Sequence, residues 1–131
     1  MKKQMIFLSI DTTGLPVKNG NNYSKPSDIK KYDNCRIVKI SWDIYSFNRK
    51  KLQTNNFIVK PKDFLITNSQ FHPITKEVSD SEGVYIEQIL DKLEEDIDNS
   101  ELIISHCYDF CCNVLQSESY RSNKLGLVEK L

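Results

Sequence analysis

Apolar residues recur with two different periods along this chain, and the order of those periods constrains the fold more than any other feature. The stretch QMIFLSI (4–10) is short and near-continuously apolar, the pattern of a strand buried on both faces. In RIVKISWDIYSF (36–47), Ile37, Ile40, Trp42, Ile44, Tyr45 and Phe47 alternate with polar residues and supply the β-branched and aromatic bulk of a strand. NRKK then reads as a hairpin turn and LQTNNFIVK (52–60) as the returning strand, stopped by Pro61. Beyond it the period changes. Ile86, Ile89, Leu90, Leu93 and Ile97 in YIEQILDKLEEDID (85–98) recur at helical spacing. ELIIS (101–105) reads as another buried strand, and DFCCNVLQSESYR (109–121) as a second helix capped by Asp109. Strand, hairpin, helix, strand, helix in that order implies an α/β fold, a mixed sheet with helices packed against it.

The remaining segments are less periodic. Residues 17–34, rich in Lys, Asn and Ser, read as a long, exposed, mobile loop after the TTGLP turn. Between 62 and 84 a short helix is expected near 67–72 or 75–79. The acids Glu94, Glu95, Asp96 and Asp98 lie at the C-terminal end of the first long helix, where its dipole disfavours them, and read as a solvated face.

The 131 residues fit one domain, taken here as 1–131. No run of 18 apolar residues is present, so no membrane span is expected. The N-terminal apolar stretch is short, meets Asp11 and lacks a small-residue cleavage site, so it is not read as an export signal. Of the four cysteines, Cys107, Cys111 and Cys112 crowd together and Cys35 stands apart. That is a poor disulfide framework, and reduced thiols in a cytoplasmic setting are expected. The net charge is zero but uneven: residues 1–62 hold 13 basic against 4 acidic residues, and residues 63–131 hold 5 against 14. A basic half steers toward phosphates or an acidic protein, unless the two halves neutralise each other in the fold. Fifteen Lys against three Arg, with 14 Ile, 11 Asn and no alanine, suggests AT-rich coding of the kind some viruses or bacteria use.

The chemistry turns on FLSIDTTGLP (7–16). Residues at i and i+2 of a strand share a face, so acids at positions 9 and 11 would form a paired carboxylate site. Such pairs, joined by a further acid, hold two Mg²⁺ about 3.5–4 Å apart for phosphodiester cleavage. Here the residues are Ser9 and Asp11.

With CRIVKISWDIYSF, VKPKDFLITNSQFHPITKE, GVYIEQILDKLEEDI and ELIISHCYDFCCNVLQSESYR following in order, the chain resembles the DnaQ-like 3′–5′ exonucleases of the DEDD superfamily across almost its whole length. The resemblance implies an RNase H-like fold with strand order 3-2-1-4-5, and a site that removes 3′ nucleotides with two metal ions. The family's first motif, D-x-E-T-T-G, places Ser9 and Asp11 at its acidic positions. Thr12, Thr13, Gly14 and Leu15 then fall where the family contacts the terminal nucleotide. His72-Pro73-Ile74-Thr75 stands where H-G-I-T walls that pocket, and the proline removes a backbone donor. The second motif, H-N-x-x-F-D, corresponds to His106-Cys107-Tyr108-Asp109-Phe110-Cys111, so Cys111 takes the place of a metal-binding Asp. The third motif, H-x-x-x-x-D, is not reached, since only ten residues follow Arg121.

Ser9 offers no charge, and Cys111 is too soft a ligand for Mg²⁺. Asp11 alone is expected to bind Mg or Mn weakly, and no cofactor is expected otherwise. Asp109 does not share a helical face with Cys111 and is not read as a replacement. His106, Cys107, Cys111 and Cys112 lack the paired spacing of a zinc site. His72 and His106 are expected as hydrogen-bonded pocket residues. The resemblance thus implies the fold and argues against the activity. The expectation is a pseudo-exonuclease that acts by binding, a small viral interference protein being one such profile. The alternative is an active metal-dependent exonuclease with a rebuilt or partner-completed site. Without the fifth strand and closing helix, the strand near 101–105 becomes an open edge, expected to pair with a second copy or with another protein. Weak nucleic-acid binding is expected beside it.

Overall fold

A computed structural model describes residues 4–67 and 72–131. Its elements include the predicted ones in their order and add two short strands and a C-terminal helix: β1 (Gln4–Thr12), β2 (Lys18–Asn19), β3 (Asn22–Tyr23), β4 (Ile37–Ser46), β5 (Lys51–Ile58), α1 (Lys76–Glu82), α2 (Ile86–Asp98), β6 (Leu102–Ile104), α3 (Tyr108–Arg121) and α4 (Leu125–Lys130). The main sheet has the order β5-β4-β1-β6. β4 is antiparallel to both β1 and β5, while β6 is parallel to β1. In sequence order of the long strands this is 3-2-1-4, the arrangement that the resemblance implies.

One face of the sheet carries the core. Ile6, Leu8, Ile40, Trp42 and Ile44 point into a cluster completed by Ile86, Ile89, Leu90, Leu93 and Ile97 of α2, Cys111, Val114 and Leu115 of α3, and Leu127 of α4. The register explains why these residues meet: Ile6 lies opposite Ile44, Leu8 opposite Trp42 and Ile10 opposite Ile40. The opposite face is open. Phe7 is 41% exposed, and Leu102 and Ile104 are also exposed. β1 is therefore not buried on both faces, as its apolar run suggested. The run QMIFLSI mixes core residues with apolar residues that no helix covers.

Three further expectations are corrected. Residues 17–34 are largely exposed, as expected, but they are not without regular structure. Gly20, at φ 66°, turns the β2–β3 hairpin, and a 3₁₀ turn follows at Ile29–Tyr32. Tyr32 is fully buried, and its hydroxyl donates to the Ser24 carbonyl at 2.6 Å. The Val17 amide donates to the Lys31 carbonyl and Arg121 donates to the Ile29 carbonyl, so the segment is tied at both ends. Asp109 does not cap α3: Cys107 is the capping residue, with no side-chain bond, and Asp109 lies in the first turn, where the helix dipole favours it. The acids of α2 are not all solvated. Asp96 is buried and accepts the Trp42 indole Nε1–H at 2.8 Å. Glu94 and Asp98 both pair with Lys130.

The short helix between 62 and 84 forms as α1, close to the 75–79 alternative. Thr75 caps it, accepting the Val78 amide through its hydroxyl. The 67–72 alternative falls largely outside the described residues. Gly83 ends the helix where a Cβ would meet the Ser79 carbonyl oxygen at 2.2 Å and the Lys60 Cα at 2.9 Å.

Candidate functional site

Parallel pairing of β1 and β6 brings the ends of two motif-bearing strands side by side: Phe7 lies opposite Ile104, with Ser9 and Asp11 following on one strand and His106 on the other. On the open face Ser9 is paired with Ser41 of β4, and Asp11 with Lys39. A bulge after Asp11 then releases the chain into the turn. An open groove of about 400 Å³ runs across this face, walled by Ser9, Ser41, Asp43, Thr54, Asn56 and His106 among others. Asp43 is drawn toward Lys51 at 3.5 Å, so the groove floor is largely neutral.

Cys111 is not in that groove. It is buried in the core cluster. Burial pushes its thiol up to about 11, against a hydrogen bond with Ser105 that acts the other way. A protonated core thiol cannot replace a metal-binding carboxylate, because the thiolate is the ligand. Cys112 is also raised by burial, whereas Cys107 is exposed. Among the described residues no group of three or more His, Cys, Asp or Glu lies close enough to hold a metal ion. The donors at the strand end, one hydroxyl and one carboxylate facing a lysine, do not fit a pair of Mg²⁺ ions.

The turn after β1 is held from behind. Thr12 donates its hydroxyl to the Gly14 carbonyl at 2.7 Å. Thr13 is buried: its amide donates to the Arg36 carbonyl, and its hydroxyl accepts the Arg36 amide at 3.0 Å. Leu15, 75% exposed, is what the turn presents outward. Arg36 is itself fixed by Glu118 of α3. The guanidinium Nε and Nη2 donate to the two Glu118 oxygens at 3.1 Å each, and Nη1 donates to Asp63 at 3.0 Å. Glu118 also accepts the Ile37 amide. Burial works against the Arg36 charge, but Glu118 and Asp63 together hold its proton more firmly than usual. Phe64 stacks on the guanidinium at 4.4 Å.

The sequence reading missed this Arg36–Glu118 pair. Only the placement of one Glu inside an otherwise apolar helical face hints at it. His72 is buried away from the groove walls. Its Nδ1 accepts the Ile74 amide, so Nε2 carries the proton and donates to the Thr67 carbonyl at 2.8 Å. His106 is exposed and lines the groove beside Ser9. The geometry thus brings together Ser9, Asp11 and His106 at one strand end and leaves His72 and Cys111 apart from the groove.

No protein-family model matches the sequence, and no curated protein sequence matches it. Solved structures do match in shape. The Escherichia coli exonuclease I in complex with a dT13 oligonucleotide superposes with a TM-score of 0.69 at 14% identity, over 91% of this chain. The complex of exonuclease I with the SSB C-terminus gives 0.67 at 12% over 93%. A metal-free exonuclease I–ssDNA complex gives 0.69 at 14% over 91%. In each case this chain spans 24% of the exonuclease chain. With its strand order and helix placement, the chain has the RNase H-like α/β fold that those exonucleases contain.

Proposed function

We propose that this chain is a nuclease-fold protein that binds rather than cleaves: a pseudo-exonuclease acting through a protein partner, with residual nucleic-acid or nucleotide binding at the Thr12–Leu15 turn and His106. One observation carries the reading. At the strand end where two-metal chemistry needs a carboxylate cluster, Asp11 follows Ser9 on β1 and lies directly across from Lys39. Two divalent cations bring about four positive charges that a single carboxylate cannot offset. A lysine across the strand adds to that imbalance.

The protein-binding half of the reading is supported by β6. Among the described residues it pairs only with β1, and it exposes Leu102 and Ile104 beside Phe7 with no lysine or proline to blunt the edge. A second copy or another protein covers that edge, and a small viral protein that interferes with a host pathway fits the same profile. The matched exonuclease structures were solved with a dT13 oligonucleotide, with ssDNA and with SSB-Ct. They supply the two classes of ligand to test.

The deciding experiment is digestion of 5′-labelled single-stranded DNA and RNA with Mg²⁺ or Mn²⁺. No shortening is expected. Metal-dependent shortening that Asp11→Ala abolishes would establish instead the active reading, in which a partner completes the site. Sedimentation of the pure protein across a wide concentration range tests the edge, and a strict monomer would assign the edge to a different protein.

A further inference from the structure

The lysines of this protein divide into two groups. Lys51, Lys62, Lys92, Lys124 and Lys130 each pair with a carboxylate within 4.0 Å. Lys18, Lys25, Lys30, Lys31, Lys39, Lys50, Lys60 and Lys76 make no such ion pair among the described residues, and all of them but Lys76 lie in the basic N-terminal half. Three of them converge on one feature. Lys18, Lys25 and Lys31 line a groove of about 370 Å³ with Asn19, Ser24 and a single acid, Asp28. The groove is built rather than incidental. The Val17 amide bonds the Lys31 carbonyl at 2.8 Å, Ser24 bonds the Val17 carbonyl at 2.7 Å, and the buried Tyr32 hydroxyl closes on Ser24.

Its position is equally defined. The groove follows the Thr12–Leu15 turn directly in the chain. Tyr23 of the hairpin packs against Phe110 of α3 at 6.3 Å, and Lys18 lies over the Tyr23 ring at 4.8 Å. The basic hairpin is therefore anchored against the first turn of α3.

We propose that this lysine-lined groove is a phosphate track for single-stranded nucleic acid, and that it binds without a divalent metal. The inference rests on the binding reading given above and names where the backbone lies. Three unpaired ammonium groups against one carboxylate favour a repeating anion, and side-chain amide and hydroxyl groups between them suit phosphate oxygens. Continuity with the Thr12–Leu15 turn, to which the binding reading assigns a terminal nucleotide, favours a nucleic-acid strand over an acidic protein segment.

The test is fluorescence anisotropy of a labelled dT15 oligonucleotide in EDTA across a salt series. Three phosphate contacts predict a slope of log affinity against log salt of about −2, an affinity loss of about 20-fold from 50 to 200 mM salt. The combined variant Lys18→Gln, Lys25→Gln, Lys31→Gln should bring that slope near zero with an unchanged circular dichroism spectrum. The control Lys76→Gln, on exposed α1, should leave it unchanged. Equal slopes for the triple variant and the parent would overturn the proposal, as would binding that appears only with Mg²⁺. Displacement of dT15 by poly-glutamate at equal charge concentration would overturn it in favour of an acidic protein partner. Cleavage in the digestion assay would refute the inactive reading while leaving the groove standing, so the two failures are separable.

Discussion

The two faces of the central sheet use the same strands for opposite ends. On the helix-covered face, alternate residues of β1 and β4 are Ile6, Leu8, Ile40, Trp42 and Ile44, all nearly inaccessible. On the other, the same strands present Phe7, Ser9 and Asp11 opposite Asp43, Ser41 and Lys39. The covered face holds the long-range polar pairs: Trp42 to Asp96, and Arg36 to Glu118 and Asp63. The open face holds the groove and the only carboxylate left from the catalytic pattern. Stability is concentrated on one side and freedom to bind on the other. Residues on the open face can therefore change, as Ser9 has relative to the family pattern, at little cost to the fold.

The largest expected asymmetry is electrostatic. Glu118→Ala leaves the buried Arg36 guanidinium with only the exposed Asp63 as counter-charge, and urea unfolding should report a loss of about 3–5 kcal/mol. Asp11→Ala on the open face should fall within about 0.5 kcal/mol of the parent. Comparable losses for the two would mean that the open face is buried in solution, by a second copy for example.

A smaller effect belongs to the buried thiols. Burial raises Cys35 and Cys111 from 9.0 to about 11 each, with hydrogen bonds from Thr12 and Ser105 opposing. Between those values the unfolded chain releases the protons and the folded chain keeps them, so stability falls as pH rises from 9 to 11. The loss is roughly 2–3 kcal/mol per thiol. Below pH 9 these groups add no pH dependence. Thermal melts at pH 8 and 10.5 would show the drop, and the double variant Cys35→Ser, Cys111→Ser should keep only the smaller part owed to Tyr32, whose hydroxyl burial pushes up to about 12. Alkylation at pH 7.5 should label exposed Cys107 well before either buried thiol.

Next comes the Trp42–Asp96 hydrogen bond. Trp42→Phe removes the donor and leaves a buried carboxylate short of a partner, for about 1.5–3 kcal/mol. Lys92, at 3.7 Å from Asp96, limits that loss. The smallest effect is expected from Phe7→Ser, Ile104→Ser on the open face. It should change monomer stability by less than about 1 kcal/mol while abolishing any concentration-dependent sedimentation. Unchanged sedimentation would move the contact surface elsewhere.

The periodic elements were legible in the sequence because burial of a strand or helix face leaves a local signature. Ile86 to Ile97 announced α2, and the alternation from Ile37 to Ile44 announced β4. That Ser9 offers no carboxylate at the strand end was equally legible, since residue type alone decides whether a side chain can carry charge. The 17–34 segment was not. Its composition is that of a loop, and what holds it in place is the buried Tyr32 with hydrogen bonds from Ser24 and Arg121 to distant carbonyls.

The sequence by itself thus determined the strand and helix order and the shortage of carboxylates, because both depend on neighbours in the chain. Only the tertiary structure decided which face of β1 stays open, that Asp96 serves Trp42 across 54 residues, and that Glu118 serves Arg36 across 82. Those partners are set by packing of distant elements, and hydrogen bonds between them leave no periodic trace in the chain.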